Sequence, residues 1–298
     1  ALKDGTVTPA GFSLKFEEIP VLVKGFRRMV RGLEFDVCEM ALTTYLVARE
    51  HGVPFTAVPV FLVRGFHHGA VQVAAGSDVR SPRDLQGRRV GVHRGYTVTT
   101  GVWARAVLRE EHGVDLDRIT WVRSGDEHVQ AYRPPDNVVA APAGRTLEDM
   151  LRAGELAAVI GAGIDAPDVT TLIPDATDAG LAALRTRGLY PINHLVVIRD
   201  DLLRARAGIA ADVFDAFARA KQVYLARLRD AAIAEPTAAD RMYRRVLETT
   251  GADPLPYGLD PNRGVLEHLL RAAVDQKILA RPVALEDVFA AGTLDLTA

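Results

Sequence analysis

Cysteine is almost absent from this 298-residue chain. Cys38 stands alone, so no intrachain disulfide can form, and a lone thiol of this kind is more often a small packing residue than a nucleophile. No run of about 18 apolar residues occurs, so no segment reads as a membrane-spanning helix. A basic excess is lacking too. Lys and Arg number 36 against 38 Asp and Glu, for a formal net charge of -2, which argues against a general nucleic-acid binder. The sequence has no HExxH or other tight metal-ligand spacing, no dinucleotide fingerprint, no P-loop and no hydrolase elbow. No internal repeat or low-complexity tract is seen. The chain opens Ala1-Leu2-Lys3-Asp4, with neither an initiator Met nor a signal-peptide pattern. Further residues, any export signal among them, are therefore expected upstream.

What remains is ordinary for a soluble globular protein: 48% hydrophobic and 25% charged residues. The length suits one large domain or two lobes. Strand and helix signals alternate. Strands are expected near residues 12–19, 35–38, 55–61, 70–74, 89–92, 119–122, 157–160 and 195–198. Helices are expected near 21–30, 40–50, 97–108, 147–153, 212–228 and 265–274. This alternation describes parallel α/β units. A polar, turn-rich break at Gly76–Arg83 and the Tyr190-Pro191 segment divide them. The expected architecture has residues 1–83 and 193–298 in one lobe and 84–192 in the other. Two connections then cross between lobes, a natural hinge beside a natural ligand cleft.

The stretch Phe61-Leu-Val-Arg-Gly-Phe-His-His68 carries the most chemistry. Arg64, His67 and His68 fall at or just past the end of an apolar strand, where open α/β sheets bind ligands. Arginine grips carboxylates in a bidentate fork, and histidine exchanges protons near neutral pH. Adjacent histidines on an extended strand point opposite ways, so at most one is expected to face the cleft. Glu39 follows the strand at Phe35–Val37, and His194 precedes the strand at Leu195–Ile198. Tyr96 lies in a glycine loop, and Thr97, Thr99 and Thr100 begin the helix after it, where free N–H groups and hydroxyls favour an anion. Trp103 is one turn further on. Asp126-Glu127-His128 reads as an exposed loop.

Three blocks carry a family resemblance. They are Phe35-Asp-Val-Cys-Glu-Met-Ala-Leu-Thr-Thr-Tyr45 with Arg64-Gly-Phe-His-His68, then Leu85-Gln-Gly-Arg-Arg-Val-Gly-Val92 with Tyr96–Trp103, and Tyr190-Pro-Ile-Asn-His194 before a Val/Ile strand. In order and spacing the chain resembles the 4,5-dihydroxyphthalate decarboxylase family, which is similar in turn to type 2 periplasmic solute-binding proteins such as the thiamine-precursor and alkanesulfonate binders. The resemblance implies a two-lobe, periplasmic-binding-protein-like (type 2) α/β fold. It also implies non-oxidative decarboxylation of a hydroxylated aromatic acid. His68 or His194 would then donate the proton, Glu39 would orient it, and Arg64 would clamp the retained carboxylate. His67, Tyr96, Thr97, Thr99, Thr100 and Trp103 would complete substrate binding. His67 stands where the family often has Arg, at a position that reads substrate. No cofactor is expected, and a divalent metal held by the histidines and Glu39 is the subordinate alternative. The competing function is capture of a small anionic, aromatic carboxylate for an ABC permease. The enzyme would be cytoplasmic and the binder periplasmic.

Overall fold

A computed structural model describes residues 1–298. The chain begins with α1 (Leu22–Gly32), β1 (Val37–Ala41), α2 (Leu42–Glu50) and β2 (Phe55–Arg64). It continues through β3 (Val71–Ala74), β4 (Arg89–Val92), α3 (Thr99–His112), β5 (Thr120–Arg123), β6 (Val138–Ala140), α4 (Leu147–Arg152), β7 (Ala158–Ile160), β8 (Val169–Thr171) and α5 (Ala176–Arg187). Then β9 (Ile192–Arg199) leads to α6 (Asp200–Ala205), α7 (Ile209–Arg229), α8 (Ala238–Thr250) and α9 (Arg263–Asp275).

Two sheets form. One has the order β1-β9-β2 and is antiparallel throughout. The other has the order β6-β5-β4-β7-β3-β8. Within it β6, β5, β4 and β7 are parallel, while β3 runs antiparallel to both β7 and β8. The expected mixed α/β, two-lobe architecture is therefore present, but only part of one sheet is parallel.

The chain leaves the first sheet after Arg64 and re-enters it at Ile192. This moves the first crossing. The boundary expected at residue 83 would have kept Val71–Ala74 with the first lobe, yet β3 pairs inside the six-stranded sheet. The polar stretch after β3 is a surface connection to β4. A break in hydrophobicity marks exposure, which a loop within a lobe shares with a hinge.

β2 is apolar along its length because it is covered on both faces, with Phe55, Ala57, Val58, Val60 and Phe61 fully buried. Its Pro59 offers no N–H to the ladder, and the β2–β9 register shifts between Val58 and Phe61. β9 is the central strand and is paired on both sides, so its side chains are held firmly. α3 ends at Gly113, whose φ of 65° and N–H bonds to the Arg109 and Leu108 carbonyls close the last turn. The expected strand over residues 12–19 is extended chain without a β partner, and Phe16 stays 40% exposed. Alternation there was not matched by a sheet edge to join. The short β8 and the helix α5 carried too little periodicity to be expected.

Candidate active site

Glu39 on β1 and His194 on β9 form the sharpest pair of titratable groups. Ala41 is directly opposite His194, and Glu39 is opposite Val196. The two side chains therefore sit diagonally on one face of adjacent strands, close enough to touch. His194 Nδ1 donates to Glu39 Oε1 at 2.6 Å. The side chains are 20% and 30% exposed, so the pair is reachable from solvent. The Phe26 ring from α1 meets the His194 ring edge-on at 5.2 Å. A carboxylate that fixes Nδ1–H leaves Nε2 as the exchanging nitrogen.

Two helix starts meet beside this pair. Neither α2 nor α3 has a side-chain N-cap, and the first-turn N–H groups of a helix have no intrahelical acceptor. Thr43 N–H donates to Thr99 Oγ1 at 3.2 Å, and Thr43 Oγ1 donates to the Thr97 carbonyl at 2.5 Å. Thr100 Oγ1 accepts from Asn193 Nδ2 at 3.5 Å, and His67 Nε2 donates to Asn193 Oδ1 at 2.8 Å. Burial pushes His67 down to about 4, partly offset by the Asn193 bond. The ring is therefore neutral at neutral pH and fits this donor role.

The loop before α3 is already served by an internal anion. Glu127 accepts from the Tyr96 N–H at 2.6 Å, the Thr97 N–H at 3.2 Å and Thr97 Oγ1 at 2.7 Å. Tyr96 and Thr97 thus hold a carboxylate of the protein itself. The Tyr96 ring turns inward, 3.9 Å from the buried guanidinium of Arg105. Asp126–His128, expected to be an exposed loop, has two buried members, Glu127 and His128. α1 reaches over it. Arg27 donates to the Asp126 carbonyl, and Arg31 donates to those of Glu127 and His128. His128 Nδ1 is 3.0 Å from Thr44 Oγ1. Burial, followed by the charges of Arg27, Arg94 and Arg31, pushes the ring down to about 4.

The crossover residues are placed differently from expectation. Arg64 is buried. Its guanidinium donates to the Tyr190 carbonyl at 3.1 Å, the Pro256 carbonyl at 3.4 Å and Asn262 Oδ1. The carboxylate clamp read into Arg64 needs correction here, because the fork is already turned onto the protein's own oxygens. His68 is also removed from the Glu39–His194 pair. Its Nε2 lies 3.0 Å from Glu111 of α3, whose carboxylate is shared with Arg187 of α5. His67 and His68 do point apart, although His68 begins a short 3-10 turn rather than continuing the strand. Trp103 is 1% exposed and donates from Nε1 to the Ile192 carbonyl at 2.9 Å. It pegs α3 to β9, and its indole lies 5.5 Å from the His268 ring. The structure therefore pairs Glu39 with His194, and links His67 and Thr100 through Asn193, the residue before His194 on β9. It sets Arg64, His68, Tyr96 and Trp103 into packing and locking roles.

Known proteins resemble this chain in sequence and in fold. A 4,5-dihydroxyphthalate decarboxylase of Comamonas testosteroni is 32% identical over 286 residues, covering 91% of this chain and 86% of that protein. The chain belongs to the 4,5-dihydroxyphthalate decarboxylase family. A second relative, the enzyme of that name from Pseudomonas putida, is 40% identical over 144 residues, 46% of this chain and 55% of its own length. Residues 29–146 match the family model described as NMT1/THI5 like. The periplasmic aliphatic sulphonate binding protein of Escherichia coli superposes with a TM-score of 0.52 at 13% identity, covering 93% of this chain and 82% of its own. A DSZB mutant in complex with biphenyl-2-sulfinic acid gives 0.51 at 16%, over 99% and 92%. These likenesses identify the fold as that of type 2 periplasmic binding proteins. Within the family, Glu39, His67, Asn193 and His194 lie in the motif blocks that carried the resemblance. Glu127 and His128 had no such signal beyond their polarity.

Proposed function

We propose that the protein is a non-oxidative decarboxylase of a small, hydroxylated aromatic carboxylate, of the 4,5-dihydroxyphthalate type. The observation that carries this reading is the 2.6 Å Glu39–His194 bond in a partly exposed setting, beside two uncapped helix starts that favour an anion. In the forward reaction the protonated His194 ring delivers Nε2–H to the ring carbon that bears the leaving carboxylate. The ring hydroxyl para to that carbon supplies electron density, and a C–H bond forms. The carbon–carboxylate bond then breaks, its electron pair restores the aromatic ring, and CO2 departs. Glu39 holds the imidazole by Nδ1–H and turns Nε2 toward the substrate. Water returns the proton to Nε2. For 4,5-dihydroxyphthalate the product is protocatechuate. His67, Asn193 and Thr100 form a neutral hydrogen-bonding wall for the substrate's polar edge.

The test is incubation of the protein with a panel of phthalates and hydroxybenzoates, following CO2 and product by mass spectrometry. Release of CO2 that disappears in His194→Ala supports the enzyme. Tight stoichiometric binding without turnover across the panel supports instead a solute binder delivering to a permease.

A further inference from the structure

The connection from β4 to α3 carries a cation with nothing to hold. Arg94 follows His93 at the carboxyl end of β4, which is flanked by parallel β5 and β7. This is the side on which open α/β sheets take ligands. Its backbone is left-handed, with φ of 65°, a conformation that residues with a Cβ rarely adopt and that collects at functional sites. The loop after β5 holds it there. Arg94 N–H donates to Ser124 Oγ at 2.8 Å, and the Gly125 N–H donates to the Arg94 carbonyl at 3.0 Å.

The Arg94 side chain, by contrast, makes no hydrogen bond or ion pair, although it is half-buried. The other arginines nearby are occupied. Arg27 and Arg31 donate to the carbonyls of residues 126–128, and Arg123 donates to the Gly125 carbonyl. The unspent charge reaches the crevice. After burial, Arg94 is a cause of the lowered proton affinity of His93, and it acts likewise on His128. His93 and Thr100 flank Gly161 closely, so the Arg94 loop and the α3 start share one wall. His128 and His194 in turn face the same Phe26 ring, at 6.2 and 5.2 Å.

We propose that Arg94 is the carboxylate-recognition residue of this site, supplied by the six-stranded lobe across the seam from Glu39 and His194. The inference rests on the decarboxylase reading and assigns the residue that holds the carboxylate its substrate keeps. One carboxylate is gripped by the Arg94 fork and retained, and the other is lost beside His194. Arg64, whose two terminal nitrogens are turned onto protein oxygens, has no part in the grip.

The experiment measures calorimetric binding of phthalate and of benzoate to the wild type, Arg94→Gln and Arg94→Lys, with CO2 release from 4,5-dihydroxyphthalate followed in parallel. The wild type is expected to prefer phthalate. Arg94→Gln should weaken phthalate binding roughly ten- to a hundredfold, the scale of a lost charge-assisted bond, and should erase the preference. Arg94→Lys should recover part of it, since the charge remains without the fork. Melting temperatures should stay level, because the side chain has no hydrogen bond or ion pair to lose. Equal phthalate affinity in wild type and Arg94→Gln overturns the assignment of Arg94 alone. A wild type that binds phthalate without releasing CO2 overturns the decarboxylase reading, while the binding comparison still decides Arg94. A wild type that neither binds phthalate nor releases CO2 overturns both.

Discussion

His194–Glu39 and His68–Glu111 are the same two side chains in two settings. Each joins a histidine next to a lobe crossing to a glutamate, at 2.6 and 3.0 Å. The second pair is enclosed. His68 is 3% exposed, and Glu111 is divided between His68 and Arg187. Burial alone would raise the Glu111 carboxyl, but its contacts with His68 and Arg187 outweigh that and hold it below the usual carboxylate range. The first pair is open, and Glu39 has His194 as its one charged partner. A histidine whose carboxylate already answers to an arginine, in a cavity of ≈ 10 Å³, can bind a helix to a crossover but has no room for a substrate. Each ring keeps one nitrogen without a partner, so access is what separates a proton donor from a lock.

Substitutions should part the two pairs. His194→Gln is expected to lower turnover by about 10²–10⁴, the usual share of a positioned proton donor, with little change in unfolding midpoint. Glu39→Gln keeps the shape but replaces a carboxylate bond to Nδ1–H with a neutral one that orients the ring less firmly, and roughly a tenfold to hundredfold loss of kcat is expected. His68→Gln should act on stability instead, costing about 1–3 kcal/mol by urea unfolding, with kcat changed by less than an order of magnitude. Turnover abolished in His68→Gln at unchanged stability would reverse the roles of the pairs.

Much of this was legible before any coordinates. The apolar runs at Phe55–Phe61 and Leu195–Ile198 required buried strands, and Glu39 and His194 stood out because each sits at the edge of such a run. The register that makes them diagonal neighbours was not legible, since β1 and β9 are distant in sequence. Arg64 was misleading for a related reason. Sequence shows a fork of donors, but the oxygens that satisfy it come from Tyr190, Pro256 and Asn262. Glu127 and His128 looked solvent-facing because polar residues in a loop usually are. Their burial is imposed by α1, whose Arg27 and Arg31 cover the loop from almost a hundred residues away. The Arg94 loop could be located but not weighed, because left-handed backbone at an arginine has no signature in composition.

The smallest expected effect concerns the third histidine, His67, which belongs to the open region but is itself buried. Its folded-state value lies near 4 against an ordinary 6.5, with burial the main cause. Between those limits the unfolded chain binds the proton and the folded chain does not, so stability rises with pH there. The contribution is complete above 6.5 and is lost as pH falls toward 4. Its slope is at most about 1.4 kcal/mol per pH unit for one proton. His128, also near 4, adds a second share of the same sign. Urea unfolding of the wild type from pH 7 to 4 should therefore show a decline that His67→Gln flattens by one proton's share without abolishing it. An unchanged slope in His67→Gln would mean that the ring is not the buried, neutral group that titrates over this range.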